Sequence, residues 1–326
     1  MSVVAPDKIL KELAELWVTT GKHSQEEGEQ GVLRACSMTL VVMTEASEDM
    51  AELGETIAAL MPEHPARAIV IRLTGPGERT LDQRVYAQCW MPFGQRRQIC
   101  CEQVEISSSD AALPDLPSVV LPLAVPDLPL FLWCRSARLI GMPEFQDIRA
   151  MADRLVLENA PLAWIQAEAA TGRLVADLAW TRLTRWREML AQVFENRRNL
   201  SQLRDTAAVK VRCGAEAPGN AGYYMAAWMQ NALQDAGVRA SVEVVRDAPG
   251  STPLIGANLR SGDLDVTLER CDDRMVATVN GLCQQTHLPR LNDYLLLREE
   301  LGIVRRDPVF EKTLALAAGL AYATDK

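Results

Sequence analysis

The chain has 326 residues, 48% hydrophobic and 24% charged, and carries a formal net charge of −9. That length favours two domains and a core that needs no cross-links, while the negative charge disfavours nucleic acid and anionic lipid as partners. The longest apolar stretch, Val119–Trp133, is broken by Pro122, Pro126, Asp127 and Pro129, and residues 1–11 lack an apolar run, so neither a membrane span nor a signal peptide is expected.

Ile9, Leu10, Leu13, Leu16 and Trp17 share one helical face and predict a short opening helix, followed by a polar loop, 21–31. Thr39–Thr44 reads as a buried strand. Ser47 is the expected cap of a helix that has Met50, Leu53, Ile57 and Leu60 on its core face and ends at Pro62. Arg67–Leu73, Arg84–Trp90 and Gln98–Ser107 follow as strands. The proline-punctuated segment Leu113–Trp133 contains PDLP twice, and its second copy is expected to form a tight loop feeding a strand over Leu130–Trp133. Phe145, Ile148 and Met151 suggest a helix and Arg154–Glu158 a strand, which makes the first part α/β with a largely parallel sheet. A long helical region then carries the stripe Leu183, Trp186, Leu190, Val193 and Phe194. The polar stretch 196–205 is the expected linker between an N-terminal α/β domain, 1–195, and a smaller C-terminal α/β domain, 206–326. In the latter, strands are expected at Ala207–Cys213 and Ala240–Val245, around a helix through Met225–Leu233 that stops near Gly237. Leu264, Val266 and Leu268 alternate and can pair with Met275–Val279 across Asp272–Asp273. Two helices close the chain, the last capped by Asp307–Pro308.

Chemistry is sparse. The three histidines, His23, His64 and His287, belong to no H-E-x-x-H, serine-elbow or Cys-His pattern, and no Walker loop is present. The eight cysteines include no C-x-x-C pair, which suits reduced thiols in a cytoplasm better than a disulfide framework or a zinc site. Cys271 and Cys283 are the one pair that could lie close, because they flank the expected hairpin. Gly75-Pro-Gly77 has Thr80 where a dinucleotide fingerprint needs its third glycine, so a plain turn is expected. Asp127, between Pro126 and Pro129, reads either as a carboxylate in a cleft or as a turn or cap residue. The segment Asp177–Phe194, DLAWTRLTRWREMLAQVF, interleaves Trp180 and Trp186 with Arg182, Arg185 and Arg187. Such a mixture serves a nucleic-acid groove or a protein hot spot, or else a buried tryptophan with arginines on the wet side of its helix.

This segment resembles the hallmark of the glucose-6-phosphate dehydrogenase assembly protein family, OpcA, which runs D-L-x-W-x-R-L-x-x-W-R before an apolar helix. His64–Leu73 (HPARAIVIRL), Ile99–Ile106 (ICCEQVEI) and Val120–Trp133 (VLPLAVPDLPLFLW) resemble further family segments in the same order. The chain departs from the family pattern at Arg185, where proline is expected, and at Cys134, where a second tryptophan is common. The resemblance implies a non-catalytic partner protein, in line with the cytoplasm expected from the cysteines and with no cofactor and no metal expected from the sparse histidines and missing fingerprints. Its partner would be glucose-6-phosphate dehydrogenase, whose active oligomer it would promote allosterically, supporting NADPH supply through the oxidative pentose phosphate pathway. The candidate partner contacts are Trp180, Arg182, Arg185, Arg187 and Asp127. The alternative is a sugar-phosphate or nucleotide-binding enzyme with an unrecognised site.

Overall fold

A computed structural model describes residues 6–15, 32–34, 36–90, 98–204, 206–216, 219–303 and 305–324. They form two compact units, Met1–Glu158 with Arg173–Ala176, and Asn159–Gly172 with Asp177–Lys326. This division differs from the expected one. The stretch 196–205 lies inside the second unit, where Arg197–Ser201 is a short exposed helix, and the D-L-x-W-x-R-L-x-x-W-R segment belongs to the second unit as well. Polarity there marks a solvated helix rather than a linker.

In the first unit, helix α1 (residues 6–15) buries Ile9 and Leu13, whereas Leu16, Trp17 and the loop 21–31 lie outside the described residues. Strands β1 (Val32–Arg34), β2 (Met38–Glu45), β3 (Ala66–Gly75), β4 (Leu81–Trp90), β5 (Gln98–Ser109), β6 (Leu130–Cys134), β7 (Arg154–Leu157) and β8 (Leu174–Asp177) build one sheet in the order β1-β5-β3-β2-β6-β7-β8, with β4 also on β5. Its β5-β3-β2-β6-β7 pairings are parallel and β4–β5 is antiparallel. The runs TLVVM and AIVI are buried on both faces, as central parallel strands require. Strand β8 falls where only helix was expected.

Helix α2 (Met50–Leu60) is capped by Asp49, whose Oδ1 accepts from Ala51 N at 2.8 Å and Glu52 N at 3.4 Å; the expected cap, Ser47, lies outside it. The first PDLP is unexpectedly helical: a 3-10 turn, Asp110–Asp115, runs into α3 (Leu116–Leu123), with Pro117 in the first turn, where its missing N–H costs nothing. The second copy is a turn. Leu128 N donates to Val125 O at 3.3 Å, Pro126 takes the second position, and Asp127 adopts a φ of 62° at the third before β6 begins. Helix α4 (Phe145–Ala150) precedes β7.

The second unit holds α5 (Leu162–Ala170), α6 (Leu178–Thr181), α7 (Thr184–Glu195), α8 (Arg197–Ser201), β9 (Thr206–Gly214), α9 (Asn220–Asp235), β10 (Arg239–Ala248), β11 (Gly256–Ser261), β12 (Leu264–Cys271), β13 (Arg274–Val279), β14 (Leu282–His287), α10 (Asp293–Leu301) and α11 (Pro308–Thr324). The sheet order is β10-β9-β11-β12-β13-β14, with only β10–β9 parallel. The β12–β13 hairpin turns at Asp272–Asp273 as expected, pairing Cys271 with Arg274. Cys271 and Cys283 are not neighbours, however. Cys283 pairs with Thr278, so β13 separates the two and four residues, about 13 Å, offset them along it. Both are free and exposed.

Helix α9 is buried along most of its length and lies close on β9. A Cβ on Gly222 would come within 2.4 Å of Cys213 Sγ. Gly222→Ala is therefore expected to cost about 1–3 kcal/mol through overpacking. Adding Cys213→Ala should return much of that loss, read as the denaturant midpoint of the single and double variants. Equal destabilisation in both would show that the two residues do not oppose one another.

Candidate functional site

The strand order β5-β3-β2-β6-β7-β8 is the 3-2-1-4-5-6 order of doubly wound dinucleotide-binding sheets, in which ligands sit beyond the carboxyl ends of the strands where the winding reverses. Here that point lies between β2 and β6. A dinucleotide needs a glycine-rich first turn whose free N–H groups meet the pyrophosphate. The turn after β2 reads Glu45-Ala-Ser-Glu-Asp49 and contains no glycine. Ser136 Oγ donates to Glu45 Oε1, Arg138 Nη2 to Glu45 Oε2 at 3.2 Å, and Arg135 Nε to Glu48 Oε2 at 2.5 Å. The N–H groups that would receive a phosphate already donate to the Asp49 carboxylate. Side chains thus bridge the two lips of the crevice, and the turn that would have to meet a pyrophosphate carries three acidic groups. These residues do not fit a dinucleotide. Gly75, with a φ of 85°, leads into β4 rather than a helix. Among the described residues, no three His, Cys, Asp or Glu side chains are grouped to hold a metal ion, and no helix is long and apolar enough to cross a membrane.

The segment 177–195 has a different organisation. Asp177 is fully buried. Its Oδ1 accepts from Ala179 N at 2.9 Å and Asn159 N at 3.2 Å, and its Oδ2 from Asn220 Nδ2 at 2.7 Å and Tyr224 OH at 3.1 Å. Asn220 also donates to Ala160 O at 2.7 Å. Burial pushes the Asp177 carboxyl above the usual carboxylate range, and the four donors oppose that shift. Burial, then the Asp177 charge, holds the Tyr224 phenol well above its ordinary value.

Trp180 packs edge-on against Tyr224, at 5.9 Å between ring centroids and 71°, and lies 5.9 Å from Phe310. Its Nε1 donates to Asp307 Oδ2 at 3.2 Å, while Asp307 Oδ1 caps α11 through Val309 N and Phe310 N. The Arg187 guanidinium stacks 3.5 Å from the centre of the Trp180 ring and donates to Thr184 Oγ1 at 2.9 Å. Burial lowers the Arg187 pKa, against the pull of Asp307 and Glu299.

The five candidate contact residues are therefore placed unequally. Trp180 is only 4% exposed and Arg187 is half-buried on its face, so those two come together as packing. Arg182 is half-buried, with its Nη1 3.5 Å from Leu291 O. Arg185 is 65% exposed and pairs with Glu188 at 3.0 Å. Asp127 is exposed and belongs to the other unit. Within the second unit, Leu190, Phe194, Leu200, Trp228, Met229 and Leu259 line an apolar groove of about 330 Å³. Sequence reasoning did not anticipate the roles of Asn220, Tyr224 and Phe310. An asparagine opening the apolar run GYYMAAW was the one available signal.

Residues 56–174 match the family model described as Glucose-6-phosphate dehydrogenase subunit N-terminal domain, and residues 173–314 match the one described as its C-terminal domain. The two matches meet close to the point where the chain leaves the first unit for the last time. The OpcA protein of Synechocystis sp. is 26% identical over 153 residues, 44% of this chain and 31% of that one. The OpcA protein of Nostoc punctiforme is 26% identical over 182 residues, 52% and 38% of the respective chains. Both bear the designation OxPP cycle protein, and the matches span about a third of their length. Among solved structures, the 3-ketoreductase KijD10 of Actinomadura kijaniata gives a TM-score of 0.46 at 12% identity over 87% of this chain and 96% of that one. Biliverdin reductase of Synechocystis sp. gives 0.43 at 10%, over 88% and 98%.

The Asp177 network generates a clear expectation. In Asp177→Asn one acceptor becomes an NH2 group, which must face a donor in either orientation. The substitution should cost about 2–3 kcal/mol, read as a shifted urea midpoint. Arg185→Ala, on the exposed side of the same segment, should stay within about 0.5 kcal/mol. A wild-type midpoint for Asp177→Asn would mean that the network contributes little.

Proposed function

The chain belongs to the glucose-6-phosphate dehydrogenase assembly protein family, OpcA, and from that membership we propose that it is a non-catalytic cytoplasmic partner and allosteric activator of glucose-6-phosphate dehydrogenase. The observation that carries this reading is the pair of family matches, which run from residue 56 to residue 314 in order. The acid-filled turn after β2 supports the non-catalytic part, since an enzyme of this sheet order uses that turn to hold its cofactor.

Activation follows from differential binding. A partner raises activity only if it binds the active state of the dehydrogenase more tightly than the inactive one. The resulting flux would supply NADPH through the oxidative pentose phosphate pathway. Within 177–195, Asp177, Leu178, Trp180, Leu183 and Trp186 are buried. Arg185 is the exposed one of the arginines in this segment, three residues after the half-buried Arg182. An exposed pair such as Arg185–Glu188 contributes little to stability, so its replacement reports on binding.

Mixed with the dehydrogenase of its own host at subsaturating substrate, the chain is expected to raise NADP reduction and to co-elute with the enzyme in a larger species. Alone it should reduce none. Arg185→Glu should weaken activation about 30-fold in apparent affinity, about 2 kcal/mol, with the melting temperature unchanged. Activation that survives this reversal would move the contact away from α7. Unchanged kinetics and separate elution of the wild-type proteins would overturn the proposal.

A further inference from the structure

Strand β14 ends the second unit's sheet, and among the described residues only β13 pairs with it. From Met275 to Pro289 the sequence MVATVNGLCQQTHLP contains no Asp, Glu, Lys or Arg, in a chain that is 24% charged. Every β14 residue is exposed except Thr286, which is half-buried. Leu282, at the tip of the hairpin, is 80% exposed, the highest value among the large apolar side chains described. Natural sheets guard a free edge with charge, proline or a bulge. The opposite edge, β10, does so with Arg239, Glu243 and Arg246 and an irregular register between Arg246 and Ala248. Strand β14 has none of these devices.

The phase of the ladder shows which backbone groups the open edge offers. The two-residue turn Asn280–Gly281, with φ of 48° and 84°, makes Val279–Leu282 a hydrogen-bonded pair. Bonded and non-bonded pairs then alternate, and Leu288 N donating to Asp273 O at 2.7 Å agrees with that phase. Cys283, Gln285 and His287 therefore turn their N–H and C=O groups outward, spaced symmetrically about Gln285.

We propose that β14 is a homodimer seam, on which a second copy of this chain adds its own β14 antiparallel about a twofold axis through Gln285. In that register Gln285 faces its twin, Cys283 faces His287, and Gln284 faces Thr286. Each outward donor meets an acceptor, and no like charges are opposed. Self-complementarity of this kind is what a twofold interface requires. An uncharged strip is also where two chains of net charge −9 meet with least repulsion. One added strand buries less than a standard interface, so the dimer is weak, with dissociation in the micromolar range of roughly 1–100 μM.

Sedimentation equilibrium of the purified full chain across that range tests the seam. The mass is expected to rise from 36.0 kDa towards twice that value. Gln285→Lys adds an edge charge, and Gln285→Pro removes an outward donor while leaving the bonds to β13 intact. Each should weaken dimerisation at least about tenfold with an unchanged circular dichroism spectrum. A single-chain mass throughout the range, or folded variants that dimerise like the wild type, would overturn the proposal. So would a wild-type monomer whose co-elution with the dehydrogenase is lost in Gln285→Lys, because the edge would then belong to the enzyme.

Discussion

The second unit is organised around one carboxylate. Asp177 is sealed from water with no cation paired to it among the described residues, so its burial is tolerable only while its four donors stay in place. Those donors come from the start of α6, from Asn159 ahead of α5, and from the first two turns of α9. One charge thereby fixes where three chain segments meet. Tyr224, held by its hydroxyl, presents its ring to Trp180 and Phe310, and Arg187 stacks over the Trp180 ring. The D-L-x-W-x-R-L-x-x-W-R pattern is in this respect an architectural rule. Its aspartate caps a helix, and its leucines and tryptophans fill a core. Its two arginines differ in circumstance, Arg187 locked over an indole and Arg182 half-buried with its Nη1 3.5 Å from Leu291 O.

The first unit carries a second constraint of opposite kind. Its strands follow the order that elsewhere creates a nucleotide crevice, yet the turn after β2 carries Glu45, Glu48 and Asp49 and no glycine. From the facing lip Arg135 pairs with Glu48 and Arg138 with Glu45, Ser136 also donates to Glu45, and Asp49 is held by the N–H groups of α2. Opening this crevice would strand several partly buried charges, so the closure is part of the fold's own stability.

Much of this was legible from local pattern. Apolar runs located β2, β3 and β6, since strands buried on both faces read as continuous hydrophobic blocks, and strict alternation located β12. The Asp307–Pro308 cap and the Asp272–Asp273 turn were visible because cap and turn chemistry is local. The failures were non-local or competitive. Proline argued against α3, but the prolines of that segment are tolerated near helix ends. Asp49 outcompeted Ser47 for the α2 cap. Leu174–Asp177 is too short to signal a strand against helical flanks, and the edge strand β14 lacks a buried face to impose a period. Above all, no spacing rule ties Asp177 to Asn220 and Tyr224, which are partners only once α9 has folded over α6. The best-marked segment was therefore recognised while its reason stayed hidden.

The passage of the backbone between the units has a consequence of its own. Residues 159–172 join the second unit, residues 173–176 return to complete the first unit's sheet as β8, and the chain then leaves again at Asp177. A cut after Glu158 deprives the first unit of an edge strand, and a cut before Asp177 deprives the second of α5. No single scission releases both units whole. During synthesis β8 is made only after α5, so the amino-terminal sheet cannot be completed before part of the second unit has emerged.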